Sequence, residues 1–243
     1  MKKYFFTLVI FLISIFSFSQ NLVPNSSFEE GVTPEKYSEM NGVKGWELSS
    51  SFSSDYFKKN AEKIPPFIKM NNMGVPTNDM GFQQAKTGIA YSGLCYAKEI
   101  IQCQLEKSFI KDSTYYLEFY TNLANSSGYA IWKIGAFFSV SPLSTFDQIT
   151  KAKPQILNDS LNYITDTINW TKISGYYKAS GGEKFLSIGS FSKNDNDRKI
   201  IFAESGIPAK TKYRYYYIDD VSLVSSSAIL NVKKDVIIYL KEK

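Results

Sequence analysis

The sequence predicts an all-β protein, an antiparallel β-sandwich preceded by an export signal. Three observations predict it. Short runs rich in Tyr, Phe, Ile and Thr alternate with Gly, Asn, Ser and Pro clusters from Asn21 onward. No long stretch carries the 3.6-residue apolar period of a helix. Lys2 and Lys3 precede an apolar run from Tyr4 to Phe18 that ends in small residues at Ser17 and Ser19.

Those first residues read as a secretory signal peptide over 1–19, cut before Gln20. The apolar run is shorter than the ~20 residues a spanning helix needs, and no later segment reaches that length, so no transmembrane segment is expected after signal removal. The chain left after cleavage, about 220 residues, suits one large β domain over 20–225. The segment 226–243 is a tail with apolar residues at Ile229, Leu230, Val232, Val236, Ile237 and Leu240, which suits either an added strand or a short helix.

The clearest strand candidates are Tyr115–Thr121, Ala130–Ser139, Trp170–Ala179, Lys184–Ser192 and Tyr215–Val224. Weaker ones are Gly45–Leu48, Ala90–Ala97 and Ile100–Ser108. Alternation assigns faces. In the first run Tyr115, Leu117 and Phe119 share one face, with Tyr116, Glu118 and Tyr120 on the other. In the second, Trp132, Ile134, Ala136 and Phe138 form the apolar set and are placed inside. Ser49–Met80, Val140–Asp166 and Ser192–Lys212 read as long loops.

Cys95 and Cys103 are the two cysteines. Either they pair across a hairpin turning at Lys98-Glu99, or they are separate thiols in a β core; their spacing is not that of a redox pair. The charge balance, 28 basic against 23 acidic residues, is spread along the chain and gives no basic stripe for nucleic acid.

Histidine is absent from the sequence. That removes the commonest general base and zinc ligand, and with them most hydrolase mechanisms. No phosphate-cradling glycine motif is present either. A glycosidase needs only two carboxylates about 5–9.5 Å apart, and Glu118, Asp55 and Asp79 are the candidates. With 23 acids in the chain such pairs arise by chance, so the expectation is a protein that is not an enzyme.

Aromatic residues make up 16% of the chain. Sugar rings stack their apolar faces on such side chains while amides and carboxylates take the hydroxyls. Tyr116, Glu118, Tyr120 and Asn122 are the candidate ligand-binding residues, joined by Gln102 and Gln104 from a neighbouring strand.

An ordered set of motifs then carries a resemblance. Asn21–Glu29 (NLVPNSSFE), Gly45-Trp46 and Tyr217–Leu223 (YIDDVSL) frame the chain, with Asp55–Phe57, Gly74–Asn78, Gly81–Gln84, Gly88–Gly93, Ile134–Ser139 and Gly181–Lys184 between them. Together they resemble the CenC-type carbohydrate-binding modules, in the form found ahead of OmpA-like domains in gram-negative envelope proteins. The resemblance implies a galactose-binding-like, antiparallel jelly-roll β-sandwich in the cell envelope, in the periplasm, at the surface or secreted. The chain departs from that form in ending at Lys243, where a peptidoglycan-binding domain would begin.

In such modules a structural calcium joins the first and last strands, and the resemblance places it here at Glu29 with Asp219 or Asp220. The implied partner is a glycan, with an envelope protein as the alternative.

Overall fold

The computed structural model describes residues 20–48, 53–61, 71–95, 99–191, 199–201 and 213–226. The segment 1–19, expected to be a signal peptide, and the tail after Ser226 lie outside the described residues.

The strands follow one another as β1 (Trp46–Leu48), β2 (Asp55–Lys58), β3 (Thr77–Asn78), β4 (Gly81–Phe82), β5 (Ala90–Leu94), β6 (Ile100–Gln104), β7 (Thr114–Leu123), β8 (Tyr129–Ile131) and β9 (Gly135–Ser139). After the helix α1 (Phe146–Lys151) come β10 (Ile156–Leu157), β11 (Thr171–Lys178), β12 (Phe185–Gly189), β13 (Lys199–Ile201) and β14 (Tyr216–Ser225).

Two five-stranded sheets carry the architecture. The first has the order β1-β6-β12-β9-β10 and the second β11-β7-β14-β5-β2. Every pairing among the described strands is antiparallel. The chain crosses repeatedly between the sheets, as a jelly roll does: β5 lies in the second, β6 in the first, β7 in the second and β9 in the first.

The alternation read from the sequence is what builds the core. Leu117 and Phe119 of β7 are fully buried, as is Leu223 of β14, and they face Ile101, Ala136, Leu186 and Ile188 of the first sheet. Each such side chain contributes about 1.5–3 kcal/mol by leaving water. The N-terminal segment is sewn onto β14: Leu22 N–H donates to the Leu223 carbonyl at 2.9 Å and Val221 N–H to Ser26 at 2.8 Å.

Several expectations change. The run 130–139 is not one strand, because β8 and β9 are separated by a break at Trp132-Lys133. Ile134, Ala136 and Phe138 are inside as expected, but Trp132 sits half-buried at the break, outside the main core. The stretch 49–80 contains β2, a central element of the sandwich edge, and 140–166 contains α1 and β10.

Residues 95 and 103 do not flank a hairpin, because β5 and β6 belong to different sheets. Cys95 and Cys103 are not joined in a disulfide: Cys103 is buried in the intersheet core, and Cys95 packs beside a second aromatic cluster.

Helix α1 closes the outer face of the first sheet. Thr145 caps it, accepting from Gln148 N–H at 3.3 Å while the Gln148 side chain accepts from Thr145 N–H at 3.0 Å. The helix presents Ile149, which with Leu143 packs on Ile100 and Phe191.

Candidate functional site

The outer face of the second sheet is divided into a covered half and an open half. Over β14, β5 and β2 it is roofed by the segment that carries β3 and β4. Phe57, Tyr91, Tyr215 and Tyr217 form an aromatic cluster there, with Met73 and Val75 above it. The Tyr91 and Tyr217 rings lie 4.8 Å apart. Their hydroxyls are spent internally: Tyr217 donates to Asn78 Oδ1 at 2.7 Å and Tyr91 to the Gln83 carbonyl at 3.1 Å. These tyrosines are core, and no ligand reaches them.

The open half lies over β7 and β11, paired in the register Tyr116↔Tyr176, Glu118↔Ser174 and Tyr120↔Lys172. Side chains directly opposite on one face are in contact range. The Tyr116 and Tyr176 rings are 4.9 Å apart, and Tyr176 is 65% exposed.

Glu118 Oε2 accepts from the Tyr116 hydroxyl at 3.1 Å and from Lys172 Nζ at 3.5 Å. Among the described residues no protein donor reaches Oε1. Tyr116 first, and then Glu118, hold the Lys172 ammonium above its ordinary pKa. At the far end Lys86 Nζ sits 4.7 Å from the centre of the Tyr120 ring. From Tyr116 to Tyr120 the strip runs about 13 Å, the rise of four strand residues.

Tyr116, Glu118 and Tyr120 therefore come together as the sequence predicts. Asn122, Gln102 and Gln104 do not join them. Asn122 is on the same face but lies under the turn at 166–169, donating to the Asp166 and Asn169 carbonyls at 3.1 and 2.9 Å. Gln102 and Gln104 belong to β6, in the other sheet. Gln102 is buried, accepting from Leu143 N–H at 2.8 Å and Ser187 at 3.2 Å, whereas Gln104 is exposed.

Sequence reasoning missed Tyr176 and Lys172. The same period-two count, applied to Trp170–Ala179, puts Lys172, Ser174 and Tyr176 on one face and could have found them.

The acids proposed for sugar cleavage do not gather around Glu118. Glu118 and Asp55 lie on strands three steps apart in the sheet, about 14 Å, beyond the range of a glycosidase pair. Asp55 is buried and bonded to Ser38 N–H and the Tyr215 hydroxyl. Asp79 accepts from Tyr37 and Asn72 N–H.

Glu29, Asp219 and Asp220 do converge, on the turn 86–90. Glu29 accepts from Ile89 N–H at 2.9 Å and Ala90 N–H at 3.2 Å, Asp219 from Lys86 N–H at 2.7 Å, and Asp220 from the Thr87 hydroxyl at 2.5 Å. Burial pushes the Asp219 carboxyl up to about 8, with the Asp220 charge adding to it. The donor chemistry, all oxygen, would suit calcium. Main-chain and hydroxyl donors engage all three carboxylates, and no group of three or more His, Cys, Asp or Glu that could hold a metal ion occurs among the described residues.

A shallow groove between Glu30–Val32 and Asn41–Glu47 lies at the same end of the domain. Its Trp46 is buried against Phe28, so it offers no exposed ring. Among the described residues no helix is long and apolar enough to cross a membrane.

No family model matches the chain, and no curated protein is similar to it. Among solved structures, the CBM22-1 xylan-binding domain of a Paenibacillus barcinonensis xylanase is similar at 15% identity and a TM-score of 0.46, over 85% of this chain and 95% of that one. The K3 cleaved adhesin domain of Lys-gingipain from Porphyromonas gingivalis is similar at 12% identity and 0.39, over 83% and 96%. The N-terminal cellulose-binding domain of β-1,4-glucanase C from Cellulomonas fimi is similar at 10% identity and 0.36, over 85% and 97%.

Proposed function

We propose that this protein is an exported, non-catalytic glycan-binding domain of the cell envelope, and that it takes a short stretch of polysaccharide on the strip formed by Tyr116, Glu118, Tyr120, Lys172 and Tyr176. One observation carries the reading: the half-buried Tyr116 and the exposed Tyr176 pair beside a carboxylate that keeps one oxygen for an outside donor. Ring faces take the C–H side of a sugar, and Glu118 Oε1 with the Lys172 ammonium takes its hydroxyls. The site is pre-formed, since both strands are held in the sheet by eight paired positions, so binding orders little.

The test is a polysaccharide panel followed by calorimetry on the best glycan. Tyr176→Ala is expected to weaken binding about tenfold or more, the ~1.4 kcal/mol one stacked ring supplies, with the melting temperature unchanged. Glu118→Gln is expected to weaken it severalfold. A panel that retains no glycan, or a Tyr176→Ala protein that binds as well as wild type, overturns the proposal.

A further inference from the structure

Given the glycan-binding strip proposed above, on which this rests, we infer that its substrate class is the acidic polysaccharides. An anionic group of the glycan, a carboxylate or a sulfate ester, sits at Tyr120 between the ammoniums of Lys86 and Lys172. Two cations reach that one ring from two sides. Lys172 of β11 stands directly across from Tyr120, and Lys86 Nζ lies 4.7 Å from the ring centre.

Lys86 is placed by its main chain. Its N–H donates to Asp219 Oδ2 at 2.7 Å, and Asp219 is the β14 residue opposite Tyr120, on the side of β7 away from β11. From that anchor the side chain reaches onto the β7 ring, and the residue stays exposed. Among the described residues no carboxylate forms an ion pair with its ammonium. Asp219 is fully buried, with Oδ1 taking the Asp220 N–H at 2.7 Å, and Asp220 takes the Thr87 hydroxyl, so both carboxylates are bonded within the turn.

Lys172 has donors to offer as well. An ammonium carries three N–H bonds, and Glu118 Oε2 takes one of them at a long 3.5 Å, with the lysine side chain 47% exposed. Glu118 itself lies two residues along β7 from Tyr120, about 7 Å. The strip thus has a hydroxyl-binding end at Glu118 and a cationic end at Tyr120. A neutral sugar would leave the Lys86 ammonium in water and gain nothing from it. A uronate or a sulfate ester there accepts charge-assisted hydrogen bonds, which are shorter and stronger than neutral ones.

The test uses the full chain and two matched pairs of polymers, polygalacturonate with its carboxyl-reduced form and dextran sulfate with dextran, which separate carboxylate from sulfate. At least one acidic member is expected to bind about tenfold tighter than its neutral partner, and to lose that advantage in about 0.5 M sodium chloride, which screens exposed charges. Lys86→Gln is expected to weaken binding of the acidic member severalfold with the melting temperature unchanged. Lys153→Gln, which removes an exposed lysine just beyond α1, over the other sheet, is expected to change nothing. Neutral members that bind as tightly as acidic ones, with Tyr176→Ala still weakening them, overturn the inference and leave the proposed function standing. Lys86→Gln and Lys153→Gln proteins that weaken alike overturn it too, since the attraction is then diffuse. Should no polymer be retained in either form, the inference falls together with the proposed function.

Discussion

Melting of the protein is expected to fall by roughly 10 °C or more as the pH rises from 5 to 8.5, and Asp55→Asn is expected to remove the part of that slope not carried by Asp219, whose buried carboxyl is likewise raised, to about 8. Asp55 is 5% exposed, and burial pushes its carboxyl up to about 7 against the partial relief given by Tyr215 and Ser38. An unfolded aspartate titrates near 3.9. Between those values the native state holds a proton that the unfolded chain has released, so stability declines with rising pH. The contribution is fully present below about pH 4 and lost as the pH passes through about 7. At roughly three pKa units it is on the order of 4 kcal/mol.

Two other carboxyls act in the opposite sense, but at lower pH. Asn169 N–H, with Ile168 N–H, holds Asp166 below its ordinary value. At Glu183 burial pushes upward, but the Tyr177 hydroxyl and the N–H groups of Ser180 and Gly181 outweigh it. What these two contribute is lost only as the pH falls through their lowered values, below the window tested. Melts by circular dichroism across the window check the prediction, and a wild-type melting temperature that climbs from pH 5 to 8 refutes it.

Adjacent residues of β7 are expected to respond in opposite ways to the same truncation. Leu117→Ala should cost about 2–5 kcal/mol, since the side chain is fully buried between the sheets and its loss leaves a cavity among well-packed neighbours. Tyr116→Ala should cost within about 1 kcal/mol, because that ring is half-buried on the outer face and loses mainly its contact with Tyr176. Denaturant midpoints of the two variants compare them directly. Equal losses would mean that β7 does not present alternate faces to core and solvent.

That strand also shows how far the sequence could be read. Alternation in Tyr115–Thr121 was legible because one face meets the core and the other meets water, so the period-two signal is not diluted. The same property made Tyr116, Glu118 and Tyr120 identifiable as a set.

β2 was illegible for the converse reason. Asp55, Tyr56 and Phe57 are all buried, since the main core lies on one side and the aromatic cluster roofed by β3 and β4 on the other, and no alternation survives. Asn122 and Gln102 read as binding groups because polar residues in strands usually face water. Here each sits under a loop that brings main-chain partners to it, a fact of tertiary packing with no local trace. The partnership of Tyr116 with Tyr176 needs the register of β7 against β11, which connects residues sixty positions apart.

On the proposed reading, the roofed half-face and the helix laid over the other sheet leave the described residues one short contact with a polymer, and its grip would be monovalent. Retention on a wall or a matrix would then depend on how many copies are displayed together, because linking several weak contacts multiplies residence without any one of them strengthening.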